Sequence, residues 1–247
     1  MIPKKIHYCW FGGNPMPELA KKCMDSWKKY CPDYEIVEWN ESNFDVNCCD
    51  YVKEAYEAKK WAFVSDYARF HILYEHGGVY FDTDVELLKP IDEILTCGAF
   101  MGVESTTPSF TVNPGVGIAV DAGNEVYREL LEAYHSRHFK NEDGTLNLTT
   151  IVEYTTAYFE ARGLQKENEI QTVAGIRIYP KEYFNPCDMQ TGKINPTQNT
   201  VSVHHFAGSW VDSYSKFRGK VYRFLNRIFG KGVATFFRKL FGRNKNE

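Results

Sequence analysis

The chain has 247 residues, 43% of them hydrophobic and 25% charged, and its formal net charge is −3. This is the composition of an ordinary globular protein. No apolar run approaches the ~20 residues that a membrane-spanning helix needs, and the N-terminus lacks the apolar core of a signal peptide. The seven cysteines include no Cys-x-x-Cys pair and indicate neither a disulfide framework nor a zinc site. We therefore expect a cytoplasmic protein with reduced thiols.

The charge is unevenly distributed along the chain. Residues 216–247 contain ten Lys or Arg and one acidic residue, whereas residues 1–215 contain nineteen basic and thirty-one acidic residues. The sequence thus predicts an acidic domain, residues 1–215, followed by a basic tail, residues 216–247.

The first forty residues alternate between strand and helix patterns. Residues 5–11 resemble a first strand that ends in the turn sequence 12–15. Residues 17–30 have helical spacing, and residues 34–39 resemble a second strand. This order predicts a βαβ unit with parallel strands and a right-handed crossover. Ligands in such sheets gather beyond the carboxyl ends of the strands.

Two predicted helices, residues 51–60 and 62–75, lead into a short apolar strand, residues 79–81. The strand delivers Asp82 and Asp84 at its end. Side chains two residues apart on a strand point to the same face, so both carboxylates can converge on one hard divalent cation such as Mg²⁺ or Mn²⁺. For an isolated Asp-x-Asp, an ordinary strand end followed by a polar turn is the more common explanation.

The rest of the chain continues the α/β pattern. Further strands are expected at residues 99–103, 116–120, 176–180 and 201–206, helices at residues 124–134 and 151–161, and a loop over residues 104–117. Without a repeat or a low-complexity linker, residues 1 to about 215 are expected to form one α/β domain.

Two further groups of residues are candidates for the same site. Asp66 and Arg69 are three residues apart and share a helix face, although a surface ion pair explains that spacing equally simply. His205, followed by Gly208 and Trp210 after a late strand, can bring an imidazole to the aspartates, a ligand that suits Mn²⁺ better than Ca²⁺. A histidine after a strand is, however, more often structural.

Taken together, four blocks resemble glycosyltransferase family 32, whose members contain a DXD sugar-binding region and are similar to the glucosylating clostridial toxins. The blocks are residues 6–13, 62–69, 77–84 and 205–210. The resemblance covers roughly residues 3–212. It implies a GT-A fold, a Rossmann-like mixed and mostly parallel sheet flanked by helices, and transfer from a nucleotide-diphospho sugar with retention of anomeric configuration.

The resemblance also implies roles for individual residues. Trp10 would stack on the nucleobase, Asp66 would bind sugar or ribose hydroxyls of the donor, and Arg69 would hold a sugar hydroxyl or a phosphate oxygen. Together with Asp82, Asp66 and Arg69 are the expected catalytic residues.

The metal and diphosphate contacts follow from the same resemblance. Asp82 would touch the ribose and sugar or bind the metal through water, Asp84 would ligate Mn²⁺ (or Mg²⁺) directly, and His205 would complete the metal site. Ser209 and Trp210 would bind the diphosphate. A divalent cation suits a leaving diphosphate because it stabilises the developing charge.

The sequence therefore predicts a hexosyltransferase that uses a nucleotide sugar, with a UDP-sugar favoured. We expect it to extend a lipid-linked or polysaccharide glycan in bacterial capsule or O-antigen synthesis, on the inner face of the cell membrane. Front-face transfer is expected because no convincing nucleophile is found. A toxin-like transferase acting on a protein, or a carbohydrate- or nucleotide-binding module without turnover, remain the alternatives.

The basic tail has its own pattern. Apolar residues recur at helical spacing from Phe217 onward, with Lys and Arg interleaved, which is typical of a helix that binds an anionic membrane surface. A helix packed on the acidic domain or an oligomer contact would explain the same stripe. Nucleic-acid binding is not expected because an apolar stripe would have no role there. The oligomeric state is left open.

Overall fold

The computed structural model describes residues 1–106, 109–208 and 213–230. The strands are β1 (Lys5–Cys9), β2 (Glu35–Trp39), β3 (Gly78–Tyr80), β4 (Val85–Leu87), β5 (Phe100–Ser105), β6 (Thr111–Val120), β7 (Gln171–Val173), β8 (Ile176–Tyr179) and β9 (Ser202–His204). The helices are α1 (Glu18–Tyr30), α2 (Asp50–Glu57), α3 (Trp61–His76), α4 (Asp92–Leu95), α5 (Glu125–His135), α6 (Ile151–Glu160), α7 (Lys181–Phe184) and α8 (Ser213–Phe229).

The central sheet is mixed and has the order β2-β1-β3-β6-β5-β8-β7. Strand β1 pairs in parallel with β2 and β3, and β5 pairs in parallel with β8, while β6 runs antiparallel to both β3 and β5. The predicted β1–α1–β2 unit is confirmed. A small antiparallel sheet joins β4 to β9, and it brings the chain after β9 beside the carboxyl end of β3.

Both faces of the central sheet are covered. Successive residues of β6 alternate between two apolar clusters, since Ile118 and Val120 belong to one and Ala119 to the other. Helix α3 lies in the first cluster together with α5 and α6. Helix α1 lies in the second, where the indole N–H of Trp27 donates to the backbone oxygen of Val85 at 2.8 Å.

Strand β6 differs from the sequence prediction, which placed a loop over residues 104–117. Met101 pairs with Ile118 while Gly102 pairs with Asn113, so residues 114–117 bulge out of the ladder. Pro114 has no N–H to donate, and the bulge is one of the few strand positions where this costs nothing. The bulge also brings the backbone oxygen of Gly115 to the N–H of Asp82, at 3.1 Å.

The chain reverses from α3 into β3 through two glycines with positive φ angles, Gly77 at 61° and Gly78 at 103°. A Cβ at Gly78 would lie 2.9 Å from the backbone oxygen of Lys5 and 3.0 Å from Nε2 of His7. Glycine therefore allows the chain to leave the end of α3 and β3 to lie directly against β1.

Helix α8 begins three residues before the expected start of the basic tail and continues to Phe229. It contacts the domain through Asn226, which is only 2% exposed and donates to the backbone oxygen of Gln190 at 3.0 Å. The remainder of the tail, residues 231–247, lies outside the described residues. Within the described part of the chain, no helix has the length and apolarity required to cross a bilayer.

Candidate functional site

The two aspartates lie in a turn between β3 and β4. Phe81 donates its N–H to the backbone oxygen of His7 at 3.2 Å, and Val85 donates to the oxygen of Asp82 at 3.0 Å. The strand ends at Tyr80, so the alternation expected of a strand does not orient the two carboxylates. They converge nevertheless, because one ligand atom each of Asp82, Asp84 and His204 lies within 4.8 Å of the others.

Asp84 is held in its ionised form. Its Oδ1 lies 3.2 Å from Nε2 of His204, and its Oδ2 accepts the N–H of Ala207 at 2.7 Å. Burial alone would raise the pKa of this carboxyl, but the charge and hydrogen bond of His204 and the N–H of Ala207 outweigh it and lower the pKa to about 2. The carboxylate is thus available as a ligand throughout the neutral range.

His204 supplies the positive charge at this cluster. Burial would lower its pKa, but Asp84, Asp82 and Glu104 raise it to about 9. Its Nδ1 lies 3.8 Å from Oε1 of Glu104 and finds no hydrogen-bond partner among the described residues. The acidic surroundings therefore favour a positive charge at this position.

The same residues fit a divalent metal. Two carboxylates and an imidazole are a ligand set that suits Mn²⁺ or Mg²⁺. Metal binding requires a neutral imidazole and releases its proton, so the acidic surroundings that raise the pKa of His204 would favour a metal ion in the same place. The orphaned Nδ1 and the buried acidic cluster are the observations that support this fit.

His205 does not take the position that the sequence suggested. Its Nε2 lies 2.8 Å from Oε2 of Glu86, which also pairs with Lys22 at 3.0 Å. The ring of His204, which lies in β9 opposite Val85, faces the aspartates instead. Neighbouring residues along an extended chain point to opposite faces, so the sequence alone does not reveal which of two adjacent histidines faces the site.

Asp66 and Arg69 form a buried pair and not the surface ion pair that their spacing also allowed. Arg69 is 3% exposed, and its Nη2 donates to Oδ1 of Asp66 at 2.9 Å while its Nη1 lies 3.2 Å from Oδ1 of Asp82. Helix α3 thereby joins the aspartate turn, with the guanidinium lying over the ring of Tyr80 at 4.8 Å.

The burial of Asp66 changes its acidity. Burial raises the pKa of its carboxyl to about 7, against the opposing charge of Arg69, and Asp82 adds to the rise. The backbone N–H of Ile151, the first residue of α6, also hydrogen-bonds to Asp66 and favours the ionised form. Asp66 is thus fixed by an arginine and a helix N-terminus.

Two further residues, Glu104 and Asn113, complete the polar cluster. Glu104, at the end of β5, faces His204 and accepts a hydrogen bond from Nδ2 of Asn113 at 2.7 Å. Oδ1 of Asn113 accepts the N–H of Gly115 at 2.6 Å, a local turn contact typical of Asn. The position of Glu104 directly after the predicted strand 99–103 was the available signal for it.

The remaining predicted binding residues are distributed around this cluster. Trp10 follows β1, is partly buried, and donates its indole N–H to the backbone oxygen of Asn14 at 2.7 Å. It lies at the carboxyl end of the strand that pairs with β3. Its stacking role stays a prediction. Ser209 and Trp210 lie outside the described residues.

Comparison with known proteins adds to this geometry. Residues 17–100 match the family described as "Glycosyltransferase sugar-binding region containing DXD motif".

Residues 17–100 are thus similar to the sugar-binding region of this glycosyltransferase family. The resemblance on which the sequence prediction rested is confirmed for this stretch, which contains Asp66, Arg69, Asp82 and Asp84.

Two curated proteins illustrate the range of relatives. Inositol phosphoceramide mannosyltransferase 3 of Schizosaccharomyces pombe is 35% identical over 126 residues, which cover 48% of this chain and 33% of that protein. A glycosyltransferase of Acanthamoeba polyphaga mimivirus, described as uncharacterized, is 24% identical over 227 residues, covering 85% and 84% of the two chains. This chain thus spans about a third of the length of the yeast relative.

The fold is that of the GT-A glycosyltransferases. A solved structure described as PaToxG glycosyltransferase has a TM-score of 0.50 and 21% identity, covering 65% of this chain and 69% of its own. At this identity the likeness concerns the fold. It confirms the α/β architecture that the sequence predicted.

Proposed function

We propose that the protein is a metal-dependent retaining glycosyltransferase that moves a hexose from a nucleotide-diphospho sugar, with a UDP-sugar favoured, to a glycan acceptor. The observation that carries the proposal is the convergence of His204 with Asp82 and Asp84, two aspartates of the family-matched residues 17–100. These residues form an acidic cluster that favours a cation, and it lies at the carboxyl ends of β1 and β3. A GT-A fold would bind a diphosphate at this edge of the sheet.

Asp82, Asp84 and His204 would hold the metal in this proposal. A divalent cation at that place stabilises charge on the leaving diphosphate as a Lewis acid. The remaining work is done by the residues of the chain. Arg69 fixes the carboxylate of Asp82 from the side of α3, and Asp66 fixes the guanidinium in turn, so that the donor meets a preorganised set of charges.

The aspartates at the site act as binding groups in this mechanism. Asp66 is paired with Arg69, Asp84 with His204, and Asp82 with Arg69 and the hydroxyl of Tyr80, which lies 3.2 Å from its Oδ1. Carboxylates held this way orient hydroxyls and a cation. We accordingly propose front-face transfer assisted by the leaving phosphate, with Asp66, Arg69 and Asp82 as the residues that contact the donor.

The acceptor we propose is a lipid-linked glycan, as in the synthesis of bacterial surface polysaccharides. Support comes from two relatives from Schizosaccharomyces pombe, which are named inositol phosphoceramide mannosyltransferases. The basic, apolar surface of α8 gives independent support for a lipid acceptor.

A thermal-shift screen of UDP- and GDP-sugars with MnCl₂ tests the donor proposal. A donor that binds only the folded state raises the melting temperature, so the correct donor should raise it in Mn²⁺ and not in EDTA. The same donor should be hydrolysed slowly by the wild type and not by Asp84→Asn. Equal stabilisation with and without EDTA, or no response to any nucleotide sugar, would contradict the proposal.

A further inference from the structure

Helix α8 carries a row of exposed apolar side chains. Phe217 is 64% exposed, Phe224 60% and Ile228 55%. With Tyr214 and Val221 they recur every three or four residues, which places all five on one face of the helix. We call these five residues the α8 stripe.

The opposite side of α8 attaches the helix to the domain. Asn226 is 2% exposed and hydrogen-bonds to Gln190, while Nη2 of Arg227 donates to the backbone oxygen of Thr191 at 3.3 Å. Asn226 is two residues from both Phe224 and Ile228, about 200° around the helix. The contact with the domain therefore turns the stripe outward, so that the alternative of a stripe packed on the acidic domain does not describe α8.

The positive charge of α8 indicates which kind of partner the α8 stripe can bind. Residues 213–230 contain five Lys or Arg and no acidic residue, on a chain whose residues 1–215 are strongly acidic. A second copy placing its stripe on the first in a two-fold contact would bring two sets of cations together. An anionic surface instead attracts the helix and repels the domain behind it, which fixes an orientation.

We propose that the α8 stripe binds an anionic lipid surface. The aromatic and aliphatic side chains enter the interface between headgroups and acyl chains, and the flanking cations meet the lipid phosphates. The lipid class implied is a phospholipid with net negative charge.

This surface is connected with the candidate site through one helix. Arg223 of α8 lines a cavity of about 190 Å³ together with His204, His205 and Phe206. With α8 bound to a membrane, this cavity adjoins the membrane-bound helix, and a phosphate-linked headgroup is the ligand that we infer for it. This second step rests on the proposed function, whereas lipid binding itself does not.

Co-sedimentation of the full chain with phosphatidylglycerol or phosphatidylcholine vesicles tests the proposal. The wild type should sediment with phosphatidylglycerol and remain in solution with phosphatidylcholine. The double variant Phe217→Gln/Phe224→Gln should bind phosphatidylglycerol at least about tenfold more weakly, since each substitution removes a ring that the interface would bury. Arg218→Gln/Lys220→Gln should bind more weakly and lose part of its salt dependence.

The matched control is Leu148→Gln/Ile170→Gln, which removes two exposed apolar side chains elsewhere on the surface. It should bind as the wild type does. Equal loss in this control, or wild-type binding by the stripe variant, would overturn the proposal. The proposal would also be overturned if the wild type bound neither vesicle type. It would be overturned as well if the wild type formed a dimer that the Phe217→Gln/Phe224→Gln variant does not form.

Lipid binding and sugar transfer can fail separately. Asp84→Asn should bind vesicles normally and lose donor hydrolysis, while the stripe variant should keep donor hydrolysis in solution. If the wild type binds phosphatidylglycerol but hydrolyses no nucleotide sugar, the proposed function fails and the lipid surface stands. If it hydrolyses a donor but binds no vesicle, the lipid surface fails.

Discussion

Gly115 lies against the carboxylate of Asp82 so closely that a Cβ on residue 115 would come within 2.0 Å of Oδ2 of Asp82 and within 3.0 Å of Nη1 of Arg69. The backbone of the β6 bulge thus forms one wall of the candidate site. The side chains of Asp82 and Arg69 can keep these positions only because residue 115 is a glycine and has no side chain.

Gly115→Ala should therefore displace Asp82 and Arg69. We expect donor turnover to fall by about 10²-fold, the usual scale for a misplacement of about 1 Å in a positioned group. Steady-state donor hydrolysis in Mn²⁺ measures it. Gly219→Ala is the control, because its Cβ would meet nothing within 4 Å. Wild-type turnover by Gly115→Ala would show that the wall has no role.

His204 and His205 should separate in their effect on metal binding. His204→Ala removes the imidazole beside Asp84 and should weaken Mn²⁺ binding at least about tenfold. Even residues that only hydrogen-bond to a metal ligand contribute that much to metal affinity. His205→Ala loses only its contact with Glu86 and should leave Mn²⁺ affinity nearly unchanged. The Mn²⁺ dependence of the melting temperature, without donor, reports both. A larger effect of His205→Ala would restore the original sequence prediction.

Arg69→Ala should be strongly destabilising. It leaves the buried carboxyl of Asp66 and the partly buried carboxyl of Asp82 without their cation. Breaking a buried pair costs about 3 to 5 kcal/mol of unfolding free energy. Urea unfolding followed by circular dichroism measures the loss. Arg128→Ala breaks an exposed pair at the same spacing, with Glu125, and should lose much less. Similar losses in the two variants would contradict the burial of Arg69.

His7 should make the fold sensitive to acid. Burial lowers its pKa from 6.5 to about 4, and the ring stays neutral between the indole N–H of Trp39, 3.1 Å from Nδ1, and the backbone oxygen of Gly77, 3.0 Å from Nε2. With the indole donating to Nδ1, Nε2 carries the proton that Gly77 accepts.

Between pH 6.5 and pH 4 the unfolded chain therefore binds a proton at His7 that the folded chain does not. Stability conferred by the neutral ring is present above pH 6.5 and lost as the pH falls towards 4, by about 3 kcal/mol over the window. Urea unfolding across that range measures the slope. His7→Gln, which keeps a donor and an acceptor, should show a smaller slope, and an unchanged slope would assign the effect to other groups.

The sequence by itself determined the elements whose signals are local. Helical spacing predicted α1 and α3, and the apolar run before Asp82 predicted β3. It also brought Asp66, Arg69, Asp82 and Asp84 into one site through the family resemblance. These features depend on neighbours within a turn or a strand, which a linear pattern records.

The tertiary structure alone decided the remainder. Residues 111–115 contain Pro and Gly and resemble a loop, yet pairing with β5 makes them part of β6 and places Gly115 against Asp82. The choice of His204 over His205 depends on which face of β9 meets the β3–β4 turn, and a shift of one residue reverses it. Burial of Asp66 and Arg69 depends in the same way on distant segments, because Ile151 at the start of α6 meets Asp66 and Gly115 of β6 lies beside Arg69. Contacts between distant segments set these three outcomes, and residue spacing does not encode them.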